Sequence, residues 1–256
     1  MAAIRAVLFD LGGTLYDYMT LVPAERESLL ELARWAGVEA EEHKILAAHR
    51  ESLRRVFRAY LPQQFYLHRD MFRDALLGML EEFGVAVQED NLERHRARQW
   101  ERHAQLFELR EGVVDTLRAL RQRHLHLGIV SNIDDDQLHH LMRVAGLEPY
   151  FDSVLSSETA RSCKPDPAIF LEALRRAGCQ PDEALFVADT LAQDIAGAFR
   201  PSATAVHLRS LTVLNASNFD RTGVPITRFL LFRVGFFHLF AYVTRWCFQP
   251  SLHLAF

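Results

Sequence analysis

Asp10 ends a β-branched, apolar run, Ile4 to Phe9, and is followed at once by Leu11, Gly12, Gly13 and Thr14. A carboxylate at a strand end, in a loop rich in backbone N–H groups, can act as a nucleophile on phosphorus. Adjacent glycines let the backbone approach a ligand closely. Taken alone, Asp10 serves equally well as an ordinary strand-to-turn aspartate. Asp189 and Asp194 frame the start of a predicted helix after another apolar run. Together with Asp10 they would form an oxygen-rich site, and Mg2+ prefers few carboxylates, several waters and a substrate phosphate. Singly, Asp189 is a helix N-cap and Asp194 a first-turn acid favoured by the helix dipole. Neither of those readings explains three acids at one rim. Ser131 and Asn132 end a third apolar run, where a hydroxyl and the following N–H groups suit a phosphate oxygen. By itself Ser131 reads first as an N-cap. Lys164 sits in Cys163-Lys164-Pro165-Asp166-Pro167, on a loop stiffened by two prolines. A fixed ammonium there could neutralise both the nucleophile and the transferring group. The commoner fate of a loop lysine is solvation.

Positioning these side chains needs a particular scaffold. The texture from about Pro23 to Phe107 is helical, with Gly37, Pro62 and Gly84 as punctuation. It predicts four helices, near 23–36, 41–59, 69–83 and 89–105. From Val113 onward strands and helices alternate. Predicted helices are Val113–Arg123, Asp135–Ala145, Pro167–Ala177 and Leu191–Phe199. Predicted strands are Leu125–Val130, Val154–Ser156 and Ala184–Ala188, with Ala203–Leu208 as one more. Such alternation means βαβ units and a parallel sheet. Ligands of such sheets sit beyond the carboxyl ends of the strands. Asp10, Ser131 and Asp189 each fall at such an end, and Lys164 lies in the loop after another strand. The expected fold is therefore α/β, a Rossmann-like parallel sheet core with an inserted four-helix cap. The expected boundaries are 1–18 and 108–208 for the core, 19–107 for the cap and 209–256 for an atypical apolar tail.

At this point the motifs carry a family. The strings FDLGGTL at 9–15, VSN at 130–132, KPDPAIF at 164–170 and VADTLAQDIAGA at 187–198 resemble, in order and spacing, those of the haloacid dehalogenase superfamily of phosphohydrolases. The likeness runs from about residue 4 to 200. It implies that Asp10 is the nucleophile and a Mg2+ ligand, with the carbonyl of Gly12 and the carboxylate of Asp189 as further ligands. Asp194 would support the metal, directly or through water. Ser131, Asn132 and Lys164 would hold the phosphoryl group, and Thr14 would support the loop. The implied activity is Mg2+-dependent hydrolysis of a small phosphomonoester through an aspartyl-phosphate, with a small phosphorylated metabolite as partner.

One departure bears on that activity. Phosphatases of the superfamily usually carry a second Asp two residues after the nucleophile, as general acid and base, and here that position is Gly12. General acid–base catalysis contributes roughly 10²- to 10⁴-fold in rate. Its loss leaves room for a slow phosphatase, or for a protein that binds a phosphorylated ligand and regulates without turnover. The dehalogenase branch also lacks that Asp, but it works without metal and its late acidic pair is typically altered. Asp189 and Asp194 are both present here, which ranks ester hydrolysis above carbon–halogen cleavage.

Composition sets the remaining bounds. The chain has 256 residues, 49% hydrophobic and 24% charged, the texture of a soluble globular protein. A net charge of -4 gives no general attraction to nucleic acid. Cys163, Cys179 and Cys247 have no framework spacing and read as reduced thiols of a cytoplasmic protein. No secretory signal is read in the first residues. Beyond Leu208 there is no Glu or Lys, and Asp220 is the one acid. The apolar stretch between Arg233 and Arg245 is shorter than the roughly 20 residues a membrane span needs. A core or interface helix and a change of reading frame or splicing after about Phe199 are the other readings of the tail, and its loss of Glu and Lys favours the last. The Asp134-Asp135-Asp136 run reads as helix capping, and the Arg94–Arg102 stretch as a solvated helix face.

Overall fold

The computed structural model describes residues 3–86, 88–189, 204–207 and 212–214. Strand β1 (Ala6–Phe9) is the hub of the sheet. It pairs in parallel with β2 (His126–Ser131) on one side and with β4 (Ala184–Ala188) on the other. Beyond β2 lies β3 (Ser153–Ser156), also parallel. Beyond β4 come β5 (Thr204–His207), parallel, and β6 (Thr212–Leu214), antiparallel. The order is β3-β2-β1-β4-β5-β6. The strands are apolar because both faces of a parallel sheet are covered. Alternation along β1 then sorts its side chains. Val7 and Phe9 join a core with Leu117, Leu120, Leu127 and Leu138. Ala6 and Leu8 join a second core with Ile169, Phe170 and Phe186. Helices α5 (Val113–Arg121) and α6 (Asp135–Val144) furnish the first core, and α8 (Pro167–Ala177) the second.

Four helices are inserted between β1 and β2: α1 (Val22–Trp35), α2 (Glu42–Tyr60), α3 (His68–Glu82) and α4 (Glu89–Leu106). Each lies within a residue or so of its expected span, because the apolar period marks them. They pack as two pairs, α2 on α3 and α1 on α4. Leu29, Leu32, Ala33, Ile45, Met79, Leu80 and Leu92 form an apolar core of their own. The α/β fold with a helical insert is thus the one expected, with two additions. A one-turn helix, α7 (Ser157–Ala160), lies between β3 and Lys164. The sheet also gains the antiparallel edge β6, inside the segment expected to be an atypical tail. A strand as short as β6 leaves too little pattern to separate from an irregular tail. The expected helix Leu191–Phe199 and the rest of the tail lie outside the described residues. Among the described residues no helix is long and apolar enough to cross a membrane.

The insert is fastened to the core by a carboxylate that capping rules misplace. Asp134 is the N-cap residue of α6, yet its side chain makes no capping bond there. Instead it accepts the N–H of His68 at 2.9 Å and of Arg69 at 2.6 Å, the free donors at the start of α3. Burial raises its pKa against the pull of those bonds and of Arg69. Beside it, Arg69 makes a bidentate bond to Glu158 at 3.0 and 2.7 Å. Glu158 also accepts the N–H of Asp135 at 2.9 Å. The two remaining acids of the run are likewise committed, Asp135 to Ser156 and Thr159 and Asp136 to Arg96. The arginine stretch of α4 is paired as well as solvated, for Arg102 reaches Glu27, Glu31 and Ser28.

Removing the Asp134 carboxylate leaves a buried and a half-buried N–H group without acceptors. Asp134→Ala should therefore lose about 2 kcal/mol of stability, a fall in Tm of roughly 4–8 °C. Differential scanning calorimetry checks this, with Asp136→Ala, at an exposed pair, expected to change little.

Candidate active site

The strand order reverses between β1 and β4, and that switch point opens a crevice at the carboxyl ends. Asp10 stands there. Its N–H extends the ladder to Val187 O at 2.9 Å, and the residue is 6% exposed. Its Oδ1 accepts two bonds, from Ser131 Oγ at 3.0 Å and from Lys164 Nζ at 2.7 Å. Among the described residues no hydrogen bond reaches Oδ2. Ser131 is the last residue of β2, so its hydroxyl is delivered by the neighbouring strand. Lys164 comes from much farther along the chain, and Asn132 places it. The Asn132 Oδ1 accepts the Lys164 N–H at 2.6 Å, and its Nδ2 donates to the Lys164 carbonyl at 2.9 Å. Asn132 therefore acts on the backbone of Lys164, and both ends of its amide are already committed. Farther on, Asp166 caps α8 by accepting the Ala168 N–H, with Pro167 in the first helical turn.

The loop after Asp10 is closed tightly. Leu15 N–H bonds to Leu11 O at 2.8 Å, and Gly13 takes a positive φ of 74°. The constraint of handedness falls on Gly13 rather than on Gly12. A Cβ on Gly13 would lie 2.7 Å from Asp189 Cγ. Asp189, at the end of β4 and 7% exposed, thus packs its carboxyl directly against the loop that follows Asp10. Thr14 is fully buried, its Oγ1 has no hydrogen-bond partner among the described residues, and it does not line the cavity described below. Asp194 lies outside the described residues.

Residues without a motif complete the site. Arg110 donates to the Gly13 carbonyl through Nε at 3.2 Å and Nη2 at 2.8 Å, and its N–H bonds to Leu15 O. Nothing in its neighbourhood in the sequence marks it, since its partner is a carbonyl almost a hundred residues away. A cavity of about 1110 Å³ runs from Asp10, Gly12, Ser131, Asn132, Lys164 and Asp189 into the insert. The insert lines it with apolar residues such as Leu29, Leu53, Phe57 and Phe72 and with charged ones such as Arg26, Arg50 and Arg73. His68, 8% exposed, also lines it, and its Nδ1 has no partner among the described residues. Burial, and then the nearby Lys164 charge, push its pKa down to about 4. Burial likewise brings His49 down to about 4. Burial also pushes the Tyr16 hydroxyl upward, reinforced by the charges of Asp10 and Glu25.

The described donor set for a cation is Asp10, Asp189 and backbone carbonyls of the first loop. Among the described residues no three His, Cys, Asp or Glu side chains gather closely enough to hold a metal without help. Two carboxylates with room for waters and phosphate suit Mg2+ better than a transition metal.

A family model described as haloacid dehalogenase-like hydrolase matches residues 4–200. The chain belongs to that family. A glyceraldehyde 3-phosphate phosphatase from Methanothermobacter thermautotrophicus is 26% identical over 226 residues, covering 88% of this chain and 94% of the relative. The L-2-haloacid dehalogenase from Xanthobacter autotrophicus is 26% identical, with a TM-score of 0.60 over 82% of this chain and 79% of the other. The fold extends further in the HAD-hydrolase YfnB from Bacillus subtilis, solved bound to magnesium. Its TM-score is 0.68 over 95% of this chain and all of the other, at 20% identity, a likeness of fold. A haloacid dehalogenase-like hydrolase is therefore what the four motifs spelled. Both a phosphatase and a dehalogenase stand among its relatives.

Two histidines that line the cavity give it a pH signature. The unfolded chain binds protons on His49 and His68 near pH 6.5, and the folded chain refuses them until about pH 4. Stability from these two is fully present above about pH 6.5 and is lost as pH falls towards 4. The Tm should accordingly decline over that range, and a His49→Gln/His68→Gln variant should decline less steeply in calorimetry at pH 7 and pH 5.

Proposed function

We propose that this hydrolase cleaves a small phosphomonoester through a phosphoryl group carried transiently on Asp10. The observation that carries the reading is the cluster at Asp10: Ser131 and Lys164 both donate to Oδ1, at the floor of the large cavity beneath the insert. With Oδ1 held, Oδ2 is the oxygen left to attack phosphorus. The Lys164 ammonium and Ser131 hydroxyl would then stabilise the charge on the transferring group. Asn132 holds Lys164 in register for that task. Asp10, Asp189 and the Gly12 carbonyl would bind Mg2+, with Asp194 supporting it. When bound, the ion would neutralise charge on the phosphoryl oxygens. Residues 19–107 would act as the cap over a core of 1–18 and 108–208, and side chains of the cap would choose the substrate. We place the protein in the cytoplasm on its free, buried Cys163 and Cys179. The phosphatase relative makes three-carbon phosphates a natural start for a screen of phosphorylated metabolites.

Gly12 keeps a second reading in view, a protein that binds a phosphorylated ligand without turnover. Binding without hydrolysis across the screen would select it.

Asp10→Asn should bring turnover to background while circular dichroism remains that of the folded chain. Undiminished hydrolysis by the pure, folded variant removes Asp10 from the mechanism.

Activity should vanish in excess chelator, return with added Mg2+ and fall with Asp189→Ala. Full activity in chelator would move the reading to the dehalogenase branch, which release of chloride from chloroacetate then tests.

A further inference from the structure

Cleaving a phosphate ester of an alcohol leaves negative charge on the departing oxygen, and a positioned acid is most effective there. Around Asp10 the obvious donors are already in use. Lys164 and Ser131 both bond to Asp10 Oδ1. Asn132 is spent on the Lys164 backbone. Gly12 offers no side chain.

The space over Gly12 is nevertheless filled. A Cβ built there would lie 2.5 Å from Cζ and 2.8 Å from Cε1 of Tyr18, and closer still to the Tyr18 hydroxyl. The phenol therefore stands at the point from which any side chain of residue 12 would start. Tyr18 also lines the cavity with Asp10, and the residue is 55% exposed. Its backbone is well fastened. It opens a 3-10 turn, Tyr18–Thr20, in which Asp17 accepts the Met19 N–H at 3.0 Å. Asp17 pairs with Arg110 at 3.4 Å, and Arg110 holds the Gly13 carbonyl. The Tyr18 ring meets Tyr16 edge-on, with centroids 5.4 Å apart. Nucleophile loop and phenol are thus carried by one braced unit.

We propose that Tyr18 is the proton donor and acceptor of the ester hydrolysis, its hydroxyl occupying the volume that a side chain at residue 12 would fill. This rests on the phosphomonoester reading of Asp10. In the first step Asp10 attacks phosphorus and the bond from phosphorus to the alcohol oxygen breaks. The phenolic proton passes to that oxygen, leaving the free alcohol, a Tyr18 phenolate and the phosphoryl group on Asp10. In the second step the phenolate takes a proton from water as the water oxygen attacks phosphorus. The bond to Asp10 breaks, releasing phosphate and restoring carboxylate and phenol. Tyr16 also lines the cavity, but it is buried and burial raises its pKa, which makes it the poorer proton donor.

The test is the leaving-group dependence of Tyr18→Phe in the full chain with Mg2+. The variant keeps the ring and its contact with Tyr16. Turnover of the best alkyl phosphate from the screen should fall on the order of 10²-fold, and that of p-nitrophenyl phosphate by less than about threefold. Equal losses on both substrates, or no loss on either, overturn the proposal, as does the same selective loss in His68→Gln with Tyr18→Phe unaffected. Adding Gly12→Asp to Tyr18→Ala returns an acid to the same volume and should restore alkyl phosphate turnover by about tenfold. No recovery in a folded double variant counts against the shared volume and so against the proposal. Asp10→Asn separates the two levels of failure. A wild type that is inactive, or active without Asp10, removes the hydrolase mechanism and this step with it. An Asp10-dependent wild type indifferent to Tyr18 removes Tyr18 alone.

Discussion

Two full charges, on Lys164 and Asp10, lie 2.7 Å apart with their side chains 2% and 8% exposed. Pairing offsets part of the cost of burying them, because an unpaired charge at that depth carries a desolvation penalty of several kcal/mol. The geometry must therefore be held closely, and much of the chain is engaged in holding it. Strand β1 brings Asp10 to the switch point. Strand β2 brings Ser131 beside it. Asn132 fixes the Lys164 backbone from both sides, and the capped start of α8 anchors the segment that follows. A buried pair of this kind does little for net stability, but it prepares an electrostatic environment for a transferring anion before the anion arrives.

The insert closes over that pair by a different kind of contact. Its joint with the core is largely polar. Asp134, Arg69, Glu158 and the N–H of Asp135 form a connected set, and Cys163 N–H reaches back to Gln64 O at 2.8 Å. The residue next to Lys164 is thus tied to the insert, and so is the residue two after Asn132. The chamber between has the polar residues around Asp10 at its floor and a mixture of apolar and charged residues of the insert above them.

Much of this was legible in the residues. The apolar period marked every described helix of eight or more residues and every parallel strand to within a residue or two, because those elements bury one face or two. Asp10, Ser131 and Asp189 were readable from strand ends alone, and Lys164 from its stiff loop. What escaped was set by partners distant in the chain. Asp134 looked like a cap for the helix it precedes, and its acceptor capacity went to α3 instead. Arg110 has no local signature, since its target is a backbone carbonyl. Tyr18 escaped because a glycine advertises an empty place, and only three dimensions reveal what has moved into it. Strand β6 was missed for want of length.

The Asp134 joint has one property that bears on how this protein can change. It grips two main-chain N–H groups, those of His68 and Arg69, and such groups are supplied by nearly every amino acid. The chemistry of the chamber wall can therefore drift while the hinge that seats it stays the same. His68 could become Gln, Leu or Tyr and the carboxylate of Asp134 would find the same donor waiting. Only proline, which has no N–H to give, would break the seal.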